Sequence, residues 1–133
     1  YKPEKFCVAS DGEVYSVIVV SKKKRLDDSP IAITENSITS ANMMRIIKAE
    51  KGLINKLVVV NGKLEDMLRN LEHALVIGDE AIKARMLYRV LMDLGEEWKD
   101  LTALPAVFGV SVSRVEGIDD EILKSLRWGK EHI

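Results

Sequence analysis

Short apolar runs alternate along the chain with segments whose apolar residues recur at the spacing of a helix face. The apolar runs predict strands at 14–20, 31–33, 56–60, 74–77, 90–92 and 106–112. The spaced segments predict helices at 38–51, 64–71, 81–87, 96–102 and 120–132. Strands that alternate with helices are typical of layered folds in which helices cover a parallel sheet. The pattern therefore predicts an α/β fold of three layers with a mostly parallel sheet.

The order of the elements also predicts how the chain is organised. We expect residues 1–133 to form a single α/β domain whose main body is a lobe at about 20–105. The strands at about 14–20 and 106–112 flank the βα units, which suits two hinge strands at the neck of that lobe. A helix at about 119–132 follows the second hinge strand and ends the chain.

The first candidate site follows the strand at 74–77. The apolar run stops at Gly78, and Asp79 and Glu80 come directly before a helical pattern. In open α/β sheets, ligands bind outside the carboxyl ends of the strands, where turns of this kind lie. We therefore expect Gly78 and Asp79 to contact a ligand. The alternative is local, because Asp is a preferred N-cap and Glu in a first turn suits the helix dipole.

The second candidate site is the polar segment before the helix at 38–51. Ser37, Thr39 and Ser40 place more hydroxyls at the helix start than one cap requires. Free N–H groups and hydroxyls at a helix N-terminus form a ready site for an anion. These three residues are therefore predicted to bind substrate, with capping and simple surface exposure as the alternative.

Composition narrows the classes of partner. The chain has 133 residues, is 47% hydrophobic and 31% charged, and carries a net charge of −1. This balance is typical of a globular domain and gives no indication of a nucleic acid or an anionic membrane as partner. A single cysteine excludes an internal disulfide framework, and no apolar run approaches the roughly 20 residues that span a bilayer. With no visible signal peptide, we expect a cytoplasmic location.

Several familiar chemistries are missing from the sequence. It contains no glycine-rich phosphate loop, no Cys/His metal spacing and no serine elbow. His73 and His132 are not placed as a pair, and His73 is expected to be a helix cap or a surface residue. We therefore predict no hydrolytic triad and no structural zinc site. The available carboxylates, hydroxyls and helix N-termini suit the binding of a small anionic ligand.

Four segments carry a resemblance to a known family. They are residues 11–17, 34–40, 75–81 and 93–108, which occur in order and at suitable spacing. The most specific is the block D-L-G-x-x-W-K-x-x-T-x-L-P, which begins at Asp93, and the block I-G-D-x-A from Ile77 is moderately specific. Together they resemble the menaquinone-biosynthesis family of the futalosine route, which includes chorismate dehydratase and 1,4-dihydroxy-6-naphthoate synthase.

The resemblance implies a fold, an activity and a site. It implies one lobe of a fold similar to type-II periplasmic binding proteins. It implies a carbon–oxygen lyase that removes water from chorismate, a dicarboxylate, to give 3-enolpyruvylbenzoate without a metal or organic cofactor. Ser16 stands where the family has a serine that faces the cleft, so it is the expected catalytic residue. The predicted anion site at Ser37, Thr39 and Ser40 gains a carboxylate as its ligand.

The resemblance also implies what this chain needs. The family carries an N-terminal stretch before Asp11 that forms most of a second lobe, and the present sequence does not contain it. We therefore expect the chain to be inactive or incomplete alone, with that N-terminal lobe or a second copy as its partner. The alternatives are a naphthoate-synthase-like lobe, a non-catalytic binding module for a small carboxylate, and an interaction protein that pairs through its hinge strands.

Overall fold

The computed structural model describes residues 2–35, 38–113 and 128. The chain forms two compact units, one of Ser10–Ala106 and one of Tyr1–Ala9 with Val107–Ile133. The strands are β1 (Lys2–Ser10), β2 (Val17–Ser21), β3 (Ile31–Ile33), β4 (Leu57–Val59), β5 (His73–Ile77), β6 (Arg89–Asp93) and β7 (Ala106–Ser113). The helices are α1 (Ile38–Lys51), α2 (Leu64–Asn70), α3 (Gly78–Leu87) and α4 (Leu94–Thr102).

The larger unit contains a five-stranded mixed sheet of order β4-β3-β5-β2-β6. β3 pairs in parallel with β4 and β5, whereas β2 pairs antiparallel with β5 and β6. The prediction of an α/β fold is confirmed, but the prediction of a mostly parallel sheet is not. A continuous apolar run shows that both faces of a strand are covered by other elements. It does not show whether the neighbouring strands run parallel or antiparallel to it, so the prediction went further than the pattern allows.

Helices cover both faces of this sheet. Every residue of β2 is buried, although successive side chains of a strand point to opposite faces. Ile18 and Val20 belong to a buried cluster that includes Leu64 of α2 and Ala81 of α3. Val17 and the other alternate residues face the opposite side, where α4 contacts β2 and packs against α1. The sheet therefore lies between the pair α2 and α3 and the pair α1 and α4.

The smaller unit contains a two-stranded sheet of β1 and β7. β7 corresponds to the strand predicted at 106–112, whereas β1 was not predicted, because residues 1–10 show no clear hydrophobic period. The strand predicted at 14–20 is β2, which lies inside the five-stranded sheet. Of the helix predicted at 119–132, the described part of the chain includes only Trp128, which is helical and exposed. The hinge role of the two strands stays a prediction.

Candidate functional site

A cleft opens at the carboxyl edge of the sheet. β3, β4 and β5 run in the same direction, so their carboxyl ends meet at one edge. The cleft has a volume of about 420 Å³. Its lining residues are Thr34, Glu35, Asn61, Gly62, Met67, Leu75, Val76, Ile77 and Glu80. This position is the one at which open α/β sheets bind ligands.

The β5–α3 junction borders the cleft and contains no loop. Ile77 ends the strand and is also the N-cap of α3, and no side chain caps the helix there. Gly78, the first helical residue, has a φ of 61°, a left-handed conformation that favours glycine. The alternative in which Asp79 caps the helix is wrong, because Asp79 lies inside the first turn and is exposed. The strand runs directly into the helix, so the cap position falls two residues before Asp79.

Ser16 and Gly78 lie side by side at this edge. The Gly78 N–H donates to the Ser16 carbonyl over 2.9 Å, next to the pairing of Val17 with Ile77. Ser16 is half-buried, and its own N–H donates to the Val14 carbonyl over 2.7 Å. The structure therefore brings together two residues that the sequence predicted for the site. Neither of them is among the residues that line the cleft.

Asp93 fixes the turn that carries Ser16. As the last residue of β6 it caps α4, accepting from the N–H of Gly95 at 2.9 Å and of Glu96 at 3.2 Å. The same carboxylate accepts from the N–H of Val14 at 3.0 and 3.1 Å and of Tyr15 at 2.8 Å. One side chain thus serves four N–H groups from two segments about 80 residues apart. The sequence signal for this residue is the strand–Asp-Leu-Gly–helix pattern, but no role was predicted for Asp93.

The turn before Ser16 is held by close backbone packing as well. A Cβ atom at Gly95 would lie 2.3 Å from the Gly12 carbonyl oxygen and 3.1 Å from the Val14 side chain, so this position requires glycine. Tyr15 has a φ of 63°, and its ring contacts the Arg85 guanidinium at 4.9 Å. A non-glycine residue in this conformation persists only where its surroundings enforce it. The Asp93 hydrogen bonds supply that constraint.

Glu80 is the carboxylate that the β5–α3 junction presents to the cleft. It is half-buried, and its Oε2 accepts from the Leu64 N–H over 3.1 Å at the start of α2. The sequence placed the site at the segment 78–80 and assigned ligand contact to Gly78 and Asp79, which are not among the residues that line the cleft. Their ligand contact stays a prediction. Adjacent residues of a helix point about 100° apart, and the sequence pattern does not show which of two adjacent acids faces a cleft.

The α1 N-terminus differs from the other described helix starts. Its first turn holds no acidic residue, whereas the first turns of α2, α3 and α4 each hold two. Thr39 is exposed and Ser40 is buried, and neither lines the cleft; Ser37 lies outside the described residues. Thr34 and Glu35, which lead from β3 toward α1, do line it. The two described residues of the predicted anion site therefore lie outside the cleft lining, and their binding of an anion stays a prediction.

His73 does not have the position that the sequence suggested. It is the first residue of β5, is fully buried, and has its Nδ1 2.7 Å from Ser21 Oγ and its Nε2 2.6 Å from Asp27 Oδ1. The expectation of a helix cap or surface residue is wrong, because β5 begins one residue earlier than its apolar run. This contact chain lies at the opposite edge of the sheet from the cleft.

The Ser21–His73–Asp27 chain stabilises the fold and is not arranged for nucleophilic catalysis. Ser21 Oγ is buried, donates to the Glu72 carbonyl at 3.1 Å and accepts from the Lys23 N–H at 2.8 Å. A nucleophile needs access to its substrate, which this hydroxyl lacks. The Lys23 hydrogen bond, followed by those from Ser29 and His73, holds the pKa of Asp27 well below its usual range.

Neither a cluster of metal ligands nor a membrane-spanning helix occurs in the part of the chain that the structure describes. No three His, Cys, Asp or Glu side chains there are grouped closely enough to hold a metal ion. No helix there combines the length and the apolar character that crossing a bilayer requires.

Comparison with known proteins identifies relatives. A family model described as menaquinone biosynthesis matches residues 4–133. Among solved structures, the crystal structure of protein AF1704 from Archaeoglobus fulgidus matches with a TM-score of 0.60 and 24% identity. The match covers 93% of this chain and 48% of AF1704, so the chain spans about half the length of that protein. At this identity the likeness supports the fold alone. Because the family match extends over nearly all of the 133 residues, the chain belongs to the menaquinone biosynthesis family.

Proposed function

We propose that this chain is a ligand-binding lobe for the dehydration of chorismate to 3-enolpyruvylbenzoate. The observation that carries the proposal is the cleft at the carboxyl edge, bordered by the junction at which Ser16 and Gly78 meet. Family membership places the chain in menaquinone biosynthesis. The unit Ser10–Ala106 would be the lobe, similar to one lobe of a type-II periplasmic binding protein, and β7 one of its two connections.

The ligand's two carboxylates need hydrogen-bond donors. Helix N-termini supply them, since the first N–H groups of a helix have no partner within it and the dipole favours a negative charge. The α1 start carries no acid in its first turn and offers Thr39 and Ser40, together with Ser37. At the α3 start, Asp79 and Glu80 contribute backbone N–H groups beside Gly78, whose own N–H is already bonded to the Ser16 carbonyl. We assign one ligand carboxylate to each helix start.

The reaction is an elimination that makes a ring aromatic. One ring carbon loses a proton and the neighbouring carbon loses its hydroxyl, which leaves as water once it receives a proton. The step changes no overall oxidation state, so it needs no electron acceptor. Positioned proton transfer and a fixed substrate accelerate such steps. Ser16 is assigned the role of orienting the substrate, and Asp93 holds its turn in place.

Turnover requires an enclosed site, because catalysis of this kind depends on excluded water and a fixed substrate geometry. The chain spans about half the length of AF1704. We propose that a second surface, either an N-terminal lobe or a second copy of this chain, closes over the cleft for the reaction. The isolated chain is then expected to bind chorismate and to convert it slowly or not at all.

Calorimetric titration with chorismate, combined with chromatographic detection of 3-enolpyruvylbenzoate, tests the proposal. We expect saturable binding that weakens about tenfold in Ser16→Ala, since loss of a hydrogen bond to a charged group has that effect. Ser29→Ala, at the opposite edge of the sheet, is the matched control and should bind as the unaltered chain does. Absence of saturable binding would refute the proposal. Equal binding by Ser16→Ala would remove Ser16 from the site.

A second candidate is a non-catalytic binding module for a small carboxylate. It is favoured by Ser16 itself, whose hydroxyl has no hydrogen-bonded base among the residues that the structure describes. Tight binding of chorismate without product, even after a second lobe is supplied, would support this candidate. A naphthoate-synthase-like reaction on the same lobe is the remaining alternative, and it predicts that chorismate does not bind.

A further inference from the structure

The cleft lining is divided into two chemical halves. Met67, Leu75, Val76 and Ile77 form an apolar wall, and apart from one glycine the remaining lining residues are polar. Two of these polar residues, Glu35 and Glu80, are acidic. None of the described residues that line the cleft is Lys or Arg. An anionic group that entered this half of the cleft would face two carboxylates without a compensating cation.

Glu80 is held so that it can act as an acceptor. Its Oε2 is anchored by the Leu64 N–H, and the side chain is half-buried in the first turn of α3. The nearby cation Lys83 is engaged by Glu65 rather than by Glu80. A carboxylate can accept several hydrogen bonds, so an anchored Glu80 retains capacity for a donor from a ligand.

We propose that Glu80 is a specificity-determining residue that accepts a hydrogen bond from a ligand hydroxyl. The cleft would then take the apolar, hydroxyl-bearing part of the ligand against its aliphatic wall. The ligand's carboxylates lie outside the cleft, toward the starts of α1 and α3. This inference deepens the proposed function and rests on it: the hydroxyl is the one on the chorismate ring, which the reaction removes.

The proposal has a measurable consequence for ligand selection. 3-Enolpyruvylbenzoate keeps both carboxylates of chorismate but lacks the ring hydroxyl. A site that is built to pair with a hydroxyl discriminates strongly against an analogue without it, because its buried polar group is left unpaired. A hydrogen bond between a hydroxyl and a carboxylate corresponds to a preference of about tenfold or more. The chain should therefore bind chorismate at least about tenfold more tightly than the dehydrated product.

The test is a calorimetric titration of the chain with chorismate and with 3-enolpyruvylbenzoate. In Glu80→Gln, we expect the preference for chorismate to fall to about threefold or less. Gln keeps an oxygen that can accept from the Leu64 N–H, so the melting temperature should change little. Glu50→Gln is the matched control, since it removes the same charge from an exposed position of α1 outside the cleft lining. That variant should keep the preference of the unaltered chain.

The outcomes separate this inference from the function on which it rests. Failure of both compounds to bind would refute the proposed function and this inference with it. Binding of both compounds without preference would overturn the role of Glu80 alone, as would a preference that persists in Glu80→Gln or disappears in Glu50→Gln. If Glu80→Gln does not fold, Glu80→Asp replaces it. That variant keeps the charge but withdraws the carboxylate by one methylene, and it should also lose the preference.

Discussion

The β5–α3 and β6–α4 junctions share one topology and use their acids differently. In both, a strand runs into a helix without a loop, at Ile77–Gly78 and at Asp93–Leu94. At the second junction the N-cap is an aspartate whose carboxylate accepts from N–H groups of α4 and of the turn before Ser16. At the first junction the N-cap is apolar, and no side chain caps the helix.

The difference shows how the position of an acid decides its role. A side chain at the N-cap can reach the N–H groups of the next two or three residues, and a side chain inside the first turn cannot. Asp93 occupies the cap position and is committed to the fold. Asp79 and Glu80 lie inside the first turn of α3, so the N–H groups there stay available to a ligand. The acid at the β6–α4 junction therefore stabilises the fold. We propose that the β5–α3 junction binds the ligand.

Replacement of Asp93 by alanine should have the largest effect. We expect a loss of about 2–4 kcal/mol in the free energy of unfolding, since a helix cap and two further N–H groups lose their acceptor. The corresponding change at the other junction, Asp79→Ala, should cost less than about 0.5 kcal/mol, because Asp79 is exposed and caps nothing. Urea unfolding measures both values. A comparable loss in the two variants would contradict the distinction between the junctions.

Glycine-to-alanine changes provide a second comparison, with a smaller expected effect. Gly95→Ala should destabilise by about 1–3 kcal/mol, because its Cβ would overlap the Gly12 carbonyl oxygen and force the backbone to move. In Gly78→Ala the added Cβ would have no atom within 4 Å, so only the left-handed φ of this position disfavours the change. We expect it to lower the free energy of unfolding by about 1 kcal/mol. If Gly78→Ala proved the more damaging in urea unfolding, the tight packing assigned to the β6–α4 junction would be wrong.

A pH dependence should give the smallest effect. Desolvation, followed by the nearby charges of Glu13, Asp100 and Asp93, raises the pKa of Glu96 in the first turn of α4. A carboxyl with a raised pKa favours the folded state when protonated, and that contribution is lost as the pH rises through the folded pKa. Glu96→Gln should therefore raise the melting temperature slightly at pH 7 and leave it unchanged near pH 3. An equal increase at both pH values would show that charge crowding is not the cause.

The sequence predicted most elements because their signals are local. The apolar runs and helix-spaced residues correspond to β2–β7 and α1–α4, and the site was expected at the carboxyl edge, where the cleft lies. β1 has no hydrophobic period and was missed. The antiparallel insertion of β2 between β5 and β6 depends on pairings between distant segments, which the pattern within a strand does not encode.

The residues of the site were harder to predict than its location. The structure brings together Ser16, which the family resemblance suggested, and Gly78, which the strand–turn–helix pattern suggested, but neither source predicted their contact. Glu80 rather than Asp79 lines the cleft, and α3 begins at Gly78, three residues before the start that the helical pattern predicted. The Asp93 carboxylate accepts from four N–H groups, and two of them belong to a turn about 80 residues earlier, so no local pattern could reveal these contacts. Contacts between distant segments were the part that the sequence left open.

The measurement that tests the account most directly is a titration of the ¹⁵N-labelled chain with chorismate, followed by amide chemical shifts. The account predicts saturable shifts at Asp79 and Glu80 of α3, and at Thr39 and Ser40 of α1. It predicts little change at Gly95 and Glu96, whose N–H groups are already bonded to Asp93. Shifts concentrated at the β6–α4 junction, or no shifts at the β5–α3 junction at saturating chorismate, would contradict it.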